Sequence, residues 1–233
     1  MRIIALIPAR SGSKSLPHKN IKLYNDIPLL AHSIIQAQKS KFINNNDIFV
    51  STDSKIYANI ASEYGANVPF LRPTSISQDD STDFEFLHHF LSNIHIEPKP
   101  DIIVQLRPTF PNRDITQIDN AIQSFLNHYQ NFDSLRSVIP MDKTAFKMYS
   151  IFNDRLLPFS NISVEYDEPH NLGRQQLGAT YLHNGYIDII KSDTILKLNS
   201  TSGNNILPFI MNENEDDDID DIQDWNKSLS KFN

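Results

Sequence analysis

The chain has 233 residues, 39% of them apolar, so it can bury a large core and has room for one or two domains. Its formal net charge of −7 argues against a general nucleic-acid-binding surface, and the absence of cysteines excludes disulfides and thiolate metal sites. No apolar stretch approaches the roughly 20 residues of a membrane span, so we expect a cytoplasmic protein without a membrane partner.

Apolar runs alternate with amphipathic stretches through the first half of the chain. The runs predict strands, and the stretches between them have apolar residues at helical spacing. Predicted strands cover residues 3–7, 47–50, 68–71, 102–106 and 137–139, and predicted helices cover residues 29–38, 56–64, 84–94 and 115–129. This alternation predicts an α/β fold with a mainly parallel sheet and helices on both faces.

Polar and mostly cationic residues follow several of these predicted strands. Arg10, Arg72 and Arg107 follow the first, third and fourth strands, and residues 51–53 follow the second. Parallel sheets bind their ligands beyond the carboxyl ends of the strands. The sequence therefore predicts a site for an anionic ligand at this edge of the sheet.

The pattern changes at residue 145. Short strand candidates separated by polar loops follow at residues 148–151, 156–158, 180–182, 186–190 and 207–210, before a last helix at 222–229. We interpret residues 145–205 as a β-rich extension and not as a separate domain. The prediction is a single domain that covers residues 1–233.

The loop after the first predicted strand carries Arg10, Ser13, Lys14 and Lys19 among small residues that include Gly12. Small residues let backbone N–H groups approach an anion, and fixed cations neutralise it, so the loop predicts a seat for the phosphates of a nucleoside triphosphate. The loop matches neither the P-loop nor the dinucleotide-binding pattern, which disfavours a hydrolysing NTPase and a Rossmann oxidoreductase. The alternative is a solvated basic loop without a ligand.

Two carboxylates near the end of the chain, Asp218 and Asp220, flank the apolar Ile219. In an extended segment, residues i and i+2 project to the same side, so both carboxylates could share a hard cation such as Mg²⁺. A solvated acidic run is the alternative. Packing of this segment against the domain is favoured over a solvated run by its apolar residues Ile219, Ile222 and Trp225.

Arg174 and Asn184 stand in the polar part of the extension. Arg174 could hold a carboxylate through a bidentate fork. Asn184-Gly185 lies between two apolar stretches, and its spacing favours a hairpin turn over a binding role.

Taken in order, these motifs resemble the CMP-sialic-acid synthetases, which are acylneuraminate cytidylyltransferases. The resemblance begins with Ile7-Pro8-Ala9-Arg10-Ser11-Gly12-Ser13-Lys14, Pro17 and Lys19-Asn20, and it extends to about residue 225. The later motifs are Ser51-Thr52-Asp53-Ser54, Arg72-Pro73, Leu106-Arg107-Pro108-Thr109 with Pro111 and Arg113, Arg174-Gln175-Gln176, Asn184-Gly185 and Asp218-Ile219-Asp220.

The resemblance implies a Rossmann-like nucleotidyltransferase fold that uses CTP and a nonulosonic acid, with Mg²⁺ (or Mn²⁺) as cofactor. It also implies a homodimer, in which the β-rich extension of one subunit reaches the sugar pocket of the other.

The resemblance further implies roles for individual residues. Those expected to bind CTP are Arg10, Ser13, Lys14, Lys19, Asn20 and Arg72, of which Asn20 and Arg72 would read ribose and cytosine. Those expected to face the sugar acid are Gln105, Lys147, Arg174 and Asn184. The metal ligands would be Asp218 and Asp220, and the catalytic residues Lys14, Arg10 and Asp220.

Two departures from the family pattern bear on these expectations. Ser15 stands where many members have glycine, which would restrict the loop if that position needs a positive φ. Asp188 stands where the sialic-acid enzymes tend to have tyrosine, so the sugar stays open among the sialic, legionaminic and pseudaminic acids.

Three alternatives to this function also stay open. One is a cytidylyltransferase for 3-deoxy-octulosonate, and another is a non-catalytic nucleotide-binding module of the same fold. The third, a nucleotidyltransferase for sugar phosphates, predicts a second cationic cluster for the phosphate of the sugar.

Overall fold

The computed structural model describes residues 1–159, 166–212 and 217–230 of the chain. Contacts between residues divide the chain into two units. The first comprises Met1–Ser137, Gly185–Phe209 and Asp217–Asn233, and the second comprises Val138–Asn184 and Ile210–Asp216. The single domain with an extension at residues 145–205 stays a prediction.

The described strands, in chain order, are β1 (Ile3–Pro8), β2 (Leu23–Tyr24), β3 (Ile27–Pro28), β4 (Ile48–Ser51), β5 (Ile102–Gln105), β6 (Ser134–Pro140), β7 (Tyr149–Phe152), β8 (Arg155–Pro158), β9 (Tyr181–Lys191) and β10 (Ile206–Ile210). The α-helices are α1 (Leu29–Lys39), α2 (Lys55–Glu63), α3 (Asp83–Asn93), α4 (Ile115–Asn127), α5 (Ser192–Leu196) and α6 (Ile222–Ser230). Within the described ranges, no helix has the length and apolar character needed to cross a membrane.

β1 lies inside a six-stranded sheet with the order β10-β6-β9-β5-β1-β4. It pairs in parallel with β4 and with β5, whereas β9 runs antiparallel to β5. The predicted α/β fold with a mainly parallel sheet is confirmed, and the antiparallel strand is an addition to it.

Both faces of β1 are buried. Ile4 and Leu6 pack in one cluster with Phe86 and Phe90 of α3. Since successive side chains of a strand alternate between faces, the fully buried Ala5 points to the opposite face. α1 contacts β1 and also packs on α2 and α4. Helices therefore cover both faces, and each fully buried Leu, Ile or Phe side chain contributes about 1.5–3 kcal/mol.

Side-chain caps satisfy backbone donors at the starts of α2 and α3. The side chain of Ser54 accepts the N–H of Tyr57 at the start of α2, at 3.4 Å. Before α3, the side chain of Glu85 accepts the N–H of Thr82 at 2.6 Å. Such contacts satisfy backbone donors that a helix start leaves without partners.

The segment predicted as a strand at residues 68–71 does not form one, and the residue before it, Asn67, forms an isolated parallel bridge with Phe49. Pro69 interrupts the segment, and proline cannot donate a ladder hydrogen bond. The chain instead bends at Phe70 before Arg72, whose N–H donates to the carbonyl of Thr52 at 2.7 Å.

The stretches at residues 180–182 and 186–190 belong to one strand, β9, so the hairpin interpretation of Asn184-Gly185 is wrong. Gly185 has a φ of +72°, which glycine adopts without a steric penalty, and the strand continues through it. A Cβ atom at this position would lie 3.3 Å from Nη1 of Arg107. The glycine thus permits the close approach of an arginine and does not reverse the chain.

The second unit contains the hairpin of β7 and β8. Its turn residues, Asn153 and Asp154, have φ values of 48° and 63°, as a type I′ turn requires. Ile151, Phe152 and Leu156 are 75%, 66% and 61% exposed. Apolar side chains grouped on one exposed hairpin are typical of an interaction surface.

Candidate active site

A cavity of about 520 Å³ opens in the first unit, at the carboxyl ends of β1 and β5. Most of the side chains around it are polar or charged. The lining residues are Pro8, Arg10, Ser13, Lys14, Ser15, Lys19, Asn20, Arg72, Asp79, Ser81, Thr82, Asp83, Phe86, Arg107, Pro108, Thr109 and Asp220. This is the edge of the sheet at which the sequence predicts an anionic ligand.

Side-chain hydrogen bonds fix the loop that follows β1. The N–H and the hydroxyl of Ser11 donate to the two carboxylate oxygens of Asp53, at 2.8 and 2.7 Å. The amide of the buried Asn20 donates to the carbonyl of Arg10 at 2.9 Å. The loop is therefore held in shape before any ligand arrives.

Ser15 does not have a positive φ, so the restriction considered for this position does not arise. Its hydroxyl donates instead to the carbonyl of Asp220 at 2.6 Å. The serine thereby ties the loop after β1 to the segment that carries the predicted metal ligands.

Arg10 and Lys14 present their charges to the cavity. Nη1 of Arg10 lies 2.7 Å from Oδ1 of Asp79, and the ammonium of Lys14 pairs with Oδ2 of the same carboxylate. The Lys14 side chain is 85% exposed. Hydrogen bonds from Lys14 and Arg10 lower the pKa of Asp79 below its ordinary value.

Lys19 joins the loop to the acidic segment near the end of the chain. Its Nζ donates to the carbonyl of Ile219 at 2.8 Å and lies 3.3 Å from Oδ1 of Asp220. Ile219 is fully buried, and its N–H donates to the carbonyl of Thr109 at 3.0 Å. These contacts hold Asp220 at the cavity, where its side chain is 77% exposed.

Arg72 lines the cavity from the end of β4. Its Nη2 donates to the carbonyl of Ser51 at 2.7 Å, and its guanidinium lies 5.1 Å from the centre of the Phe86 ring. Burial lowers the pKa of Arg72 to about 10, although the charge of Asp53 opposes the shift. At neutral pH the site therefore holds a planar cation against an aromatic face.

Arg107 is held between two carboxylates. Its Nη2 lies 2.6 Å from Oδ2 of Asp83, and its Nη1 lies 2.5 Å from Oδ2 of the buried Asp188. Burial acts to lower the pKa of Arg107, but the charges of Asp188 and Asp83 outweigh it and raise the pKa.

Gln105 is 1% exposed, does not line the cavity, and donates to Oδ2 of Asp83 at 3.0 Å.

Arg113 is buried and holds the loop that follows β5. It donates to the carbonyls of Arg107, Phe110 and Tyr186 at 2.6, 3.0 and 2.6 Å. Burial lowers the pKa of Arg113 to about 9, against the raising effect of negative charges that include Asp218. Asp218 thus lies in the electrostatic reach of Arg113 and does not line the cavity.

Three of the residues predicted to face the sugar belong to the second unit. Nζ of Lys147 donates to the carbonyl of His170 at 3.4 Å, and Arg174 begins a 3₁₀ turn. Asn184 is buried, with Nδ2 3.9 Å from the sulfur of Met211.

The structure brings seven of the predicted site residues to one cavity: Arg10, Ser13, Lys14, Lys19, Asn20, Arg72 and Asp220. Sequence reasoning missed the lining residues Asp79, Asp83 and Phe86. Asp79 and Asp83 lie in a polar stretch without a recognisable motif, and Phe86 has the spacing of an ordinary core residue of a helix.

Comparison with known proteins gives one family and several relatives. The profile of the family described as cytidylyltransferase matches residues 4–171. An N-acylneuraminate cytidylyltransferase of Escherichia coli O18:K1:H7 is 33% identical over 98% of this chain, which spans about half (52%) of that relative. A CMP-N,N'-diacetyllegionaminic acid synthase of Legionella pneumophila is 32% identical, with 97% of this chain and 94% of the relative covered.

Among solved structures, a CMP:2-keto-3-deoxy-manno-octonic acid synthetase in complex with CTP superposes with a TM-score of 0.73. The two chains are 14% identical, and the match covers 100% of this chain and 98% of the other. At this identity the likeness shows a shared fold and nothing more.

Proposed function

The chain belongs to the cytidylyltransferase family, and on that premise we propose that it transfers CMP from CTP to the anomeric hydroxyl of a nine-carbon 2-keto-3-deoxy sugar acid. Pyrophosphate is the second product. The observation that carries the proposal is the cavity in which Arg10, Lys14 and Lys19 lie with Asp220.

The names of the relatives from Escherichia coli and Legionella pneumophila favour acids of the sialic or legionaminic type, and the pseudaminic type stays open. We assign the reaction to the cytoplasm, because CTP is its donor.

In the proposed complex, the triphosphate lies against the loop after β1. Arg10, Lys14 and Lys19 neutralise its charge, and the hydroxyl of Ser13 donates to a phosphate oxygen. Charge-assisted hydrogen bonds of this kind are roughly twice as strong as those between neutral groups.

The nucleoside is assigned to the other wall of the cavity. Arg72, which is fixed by the carbonyl of Ser51 and lies over Phe86, donates to the carbonyl of cytosine. Asn20 is assigned to the ribose, and its bond to the carbonyl of Arg10 connects ribose binding to the phosphate seat.

The reaction forms a bond between the anomeric oxygen and the α-phosphorus and breaks the bond from the α-phosphorus to the bridging oxygen of pyrophosphate. The proton of the anomeric hydroxyl passes to solvent during attack, and pyrophosphate departs with the electron pair of the broken bond. Negative charge develops on the bridging and equatorial oxygens, so catalysis depends on positioning and on cations that are already in place. Lys14 and Arg10 supply those charges, and Lys14 is proposed to lie nearest the reacting phosphate.

Asp218 and Asp220 are the proposed ligands of Mg²⁺ (or Mn²⁺). The exposed carboxylate of Asp220 lines the cavity and is a hard oxygen donor of the kind these ions prefer. Within the described residues there is no group of three or more potential ligands, but Mg²⁺ commonly takes one or two carboxylates and completes its shell with substrate phosphates and water. The residues therefore fit the ion, which when bound would neutralise phosphate charge and polarise the α-phosphate.

The sugar acid is proposed to bind at Lys147, Arg174 and Asn184, and Gln105, which the resemblance also places there, is proposed to act through Asp83. Lys147 and Arg174 are cations that suit the carboxylate of the acid. Gln105 is buried and donates to Asp83, which lines the cavity. We therefore assign Gln105 to positioning the carboxylate of Asp83.

The test is a panel of acids with CTP, scored by release of pyrophosphate with and without Mg²⁺. We expect release with N-acetylneuraminic, legionaminic or pseudaminic acid, and little with 3-deoxy-octulosonate or a sugar 1-phosphate. Release with 3-deoxy-octulosonate alone would move the assignment to the eight-carbon acid. Absence of release with every acid, although CTP binds, would favour a non-catalytic nucleotide-binding module.

The protein is proposed to act as a homodimer that pairs through the hairpin of β7 and β8. Its exposed apolar side chains, among them Ile151 and Phe152, are the residues that a second copy of the chain would cover. We expect Ile151→Asp to shift the protein from dimer to monomer, because it places a charge in an apolar interface. Analytical ultracentrifugation measures the change.

Ile56 on α2 offers a matched control, since it is 66% exposed and lies outside the hairpin. Ile56→Asp should leave the dimer unchanged. A wild-type chain that sediments as a monomer, or an Ile151→Asp variant that stays dimeric, would remove the hairpin from the interface.

A further inference from the structure

We infer that Asp79 is an internal competitor for the phosphate groups that bind the nucleotide site. Its carboxylate pairs with both Arg10 and Lys14, and an incoming polyphosphate must displace it. The inference rests on the proposed function, because that function assigns the same two cations to the triphosphate. It adds a carboxylate that weakens the binding of every anion that must displace it.

Asp79 bridges the two cations with one oxygen for each. Oδ1 lies 2.7 Å from Nη1 of Arg10, and Oδ2 pairs with the ammonium of Lys14. The side chains of Asp79, Arg10 and Lys14 are 37%, 33% and 85% exposed, so an ion from solvent can reach all three. The carboxylate thus stands where a phosphate group would bind.

A turn presents this carboxylate. The N–H of Gln78 donates to the hydroxyl of Ser81 at 2.9 Å, and the N–H of Ser81 donates to the carbonyl of Gln78 at 3.3 Å. The side chain of Gln78 also donates to the carbonyl of Thr74 at 2.7 Å. The carboxylate of Asp79 takes part in none of these bonds, so the turn survives its displacement.

A phosphate and the carboxylate of Asp79 compete for the same hydrogen-bond donors. Because Asp79 belongs to the same chain, it competes at a high effective concentration. Pyrophosphate or a triphosphate carries more charge than one phosphate group and can span both cations, so it displaces the carboxylate more readily. Ligands that bind through phosphate therefore bind more weakly than they would without Asp79, whereas a ligand without phosphate is unaffected.

The same competition favours departure of the product. After transfer, the pyrophosphate held by Arg10 and Lys14 lies beside a carboxylate of like charge. When the pyrophosphate leaves, that carboxylate returns to the two cations and restores their neutrality. Asp79 therefore weakens retention of pyrophosphate as well as binding of CTP.

Asp80 provides a matched control. It is the adjacent residue, it is exposed and carries the same charge, and it does not line the cavity. A general change in surface charge would affect variants at both positions equally, whereas displacement of a specific competitor would affect only Asp79.

The experiment is titration calorimetry of the full chain with CTP, inorganic pyrophosphate and cytidine, without sugar acid. We expect Asp79→Asn and Asp79→Ala to bind CTP and pyrophosphate about three- to tenfold more tightly, a range typical of losing an exposed ionic competitor. Cytidine lacks phosphate, so its affinity should not change. Asp80→Asn should behave as wild type with all three compounds.

Tighter binding of both anions by the two Asp79 variants alone supports the inference. Unchanged or weaker pyrophosphate binding in these variants, with a wild type that binds CTP, overturns the inference and leaves the proposed function intact. An equal gain in Asp80→Asn overturns it as well, since the effect would then be one of general charge. A wild type that binds neither CTP nor pyrophosphate overturns both proposals.

Discussion

Replacement of Lys14 by alanine should lower the turnover of CMP transfer by about two to three orders of magnitude, the loss typical of removing one preorganised electrostatic partner of a transition state. The Lys14 ammonium is proposed to lie nearest the phosphate at which charge develops, and solvent does not replace a cation held at that point. The side chain is 85% exposed and pairs with the exposed Asp79, so its removal should leave the fold and the melting temperature unchanged.

Steady-state release of pyrophosphate, together with thermal unfolding, measures both parts of this prediction. Lys39→Ala is the matched control, because Lys39 is an exposed lysine at the end of α1 and away from the cavity. Lys14→Arg keeps the charge and should recover part of the turnover. Near-normal turnover in Lys14→Ala would remove this residue from the catalytic machinery.

Replacement of Asp220 by asparagine should raise the Mg²⁺ concentration for half-maximal activity by about 10- to 100-fold, a loss typical of a disturbed metal site. An amide keeps the shape of the carboxylate but loses the charge that attracts the ion. The side chain is 77% exposed, and its ionic partner Lys19 also donates to a carbonyl, so we expect the protein to stay folded.

The measurement is a Mg²⁺ titration of activity at fixed CTP, repeated for Asp218→Asn, which should shift in the same direction. Asp80→Asn, an exposed acid outside the cavity lining, controls for surface charge. Titrations that match wild type in both Asp218→Asn and Asp220→Asn would take these carboxylates out of the metal site.

Much of the fold could be predicted because its signals are local. The buried runs of β1, β4 and β5 are short and apolar, and the helices between them have apolar residues at helical spacing. The errors have identifiable causes. The sequence predicts a turn at Asn184-Gly185 because Asn-Gly is common in hairpins, whereas the glycine permits the close approach of Arg107.

The candidate site also has a part that the sequence predicts and a part that it does not. The cations after β1 and the acidic segment around Asp220 stand in recognisable motifs, and the structure places them at one cavity. The pairing of Arg10 with Asp79 joins residues 69 positions apart, and Asp188 reaches Arg107 from 81 positions away. Such pairings depend on tertiary structure, so no pattern in the neighbouring sequence announces them.

The hydrogen bonds of Ser15 and Lys19 to the carbonyls of Asp220 and Ile219 have a consequence for biosynthesis. They join the first loop of the chain to a segment about 200 residues later. During translation, the loop after β1 leaves the ribosome early, but its partners at Ile219 and Asp220 follow only much later. The proposed nucleotide site is therefore complete only when nearly all of these residues have been synthesised.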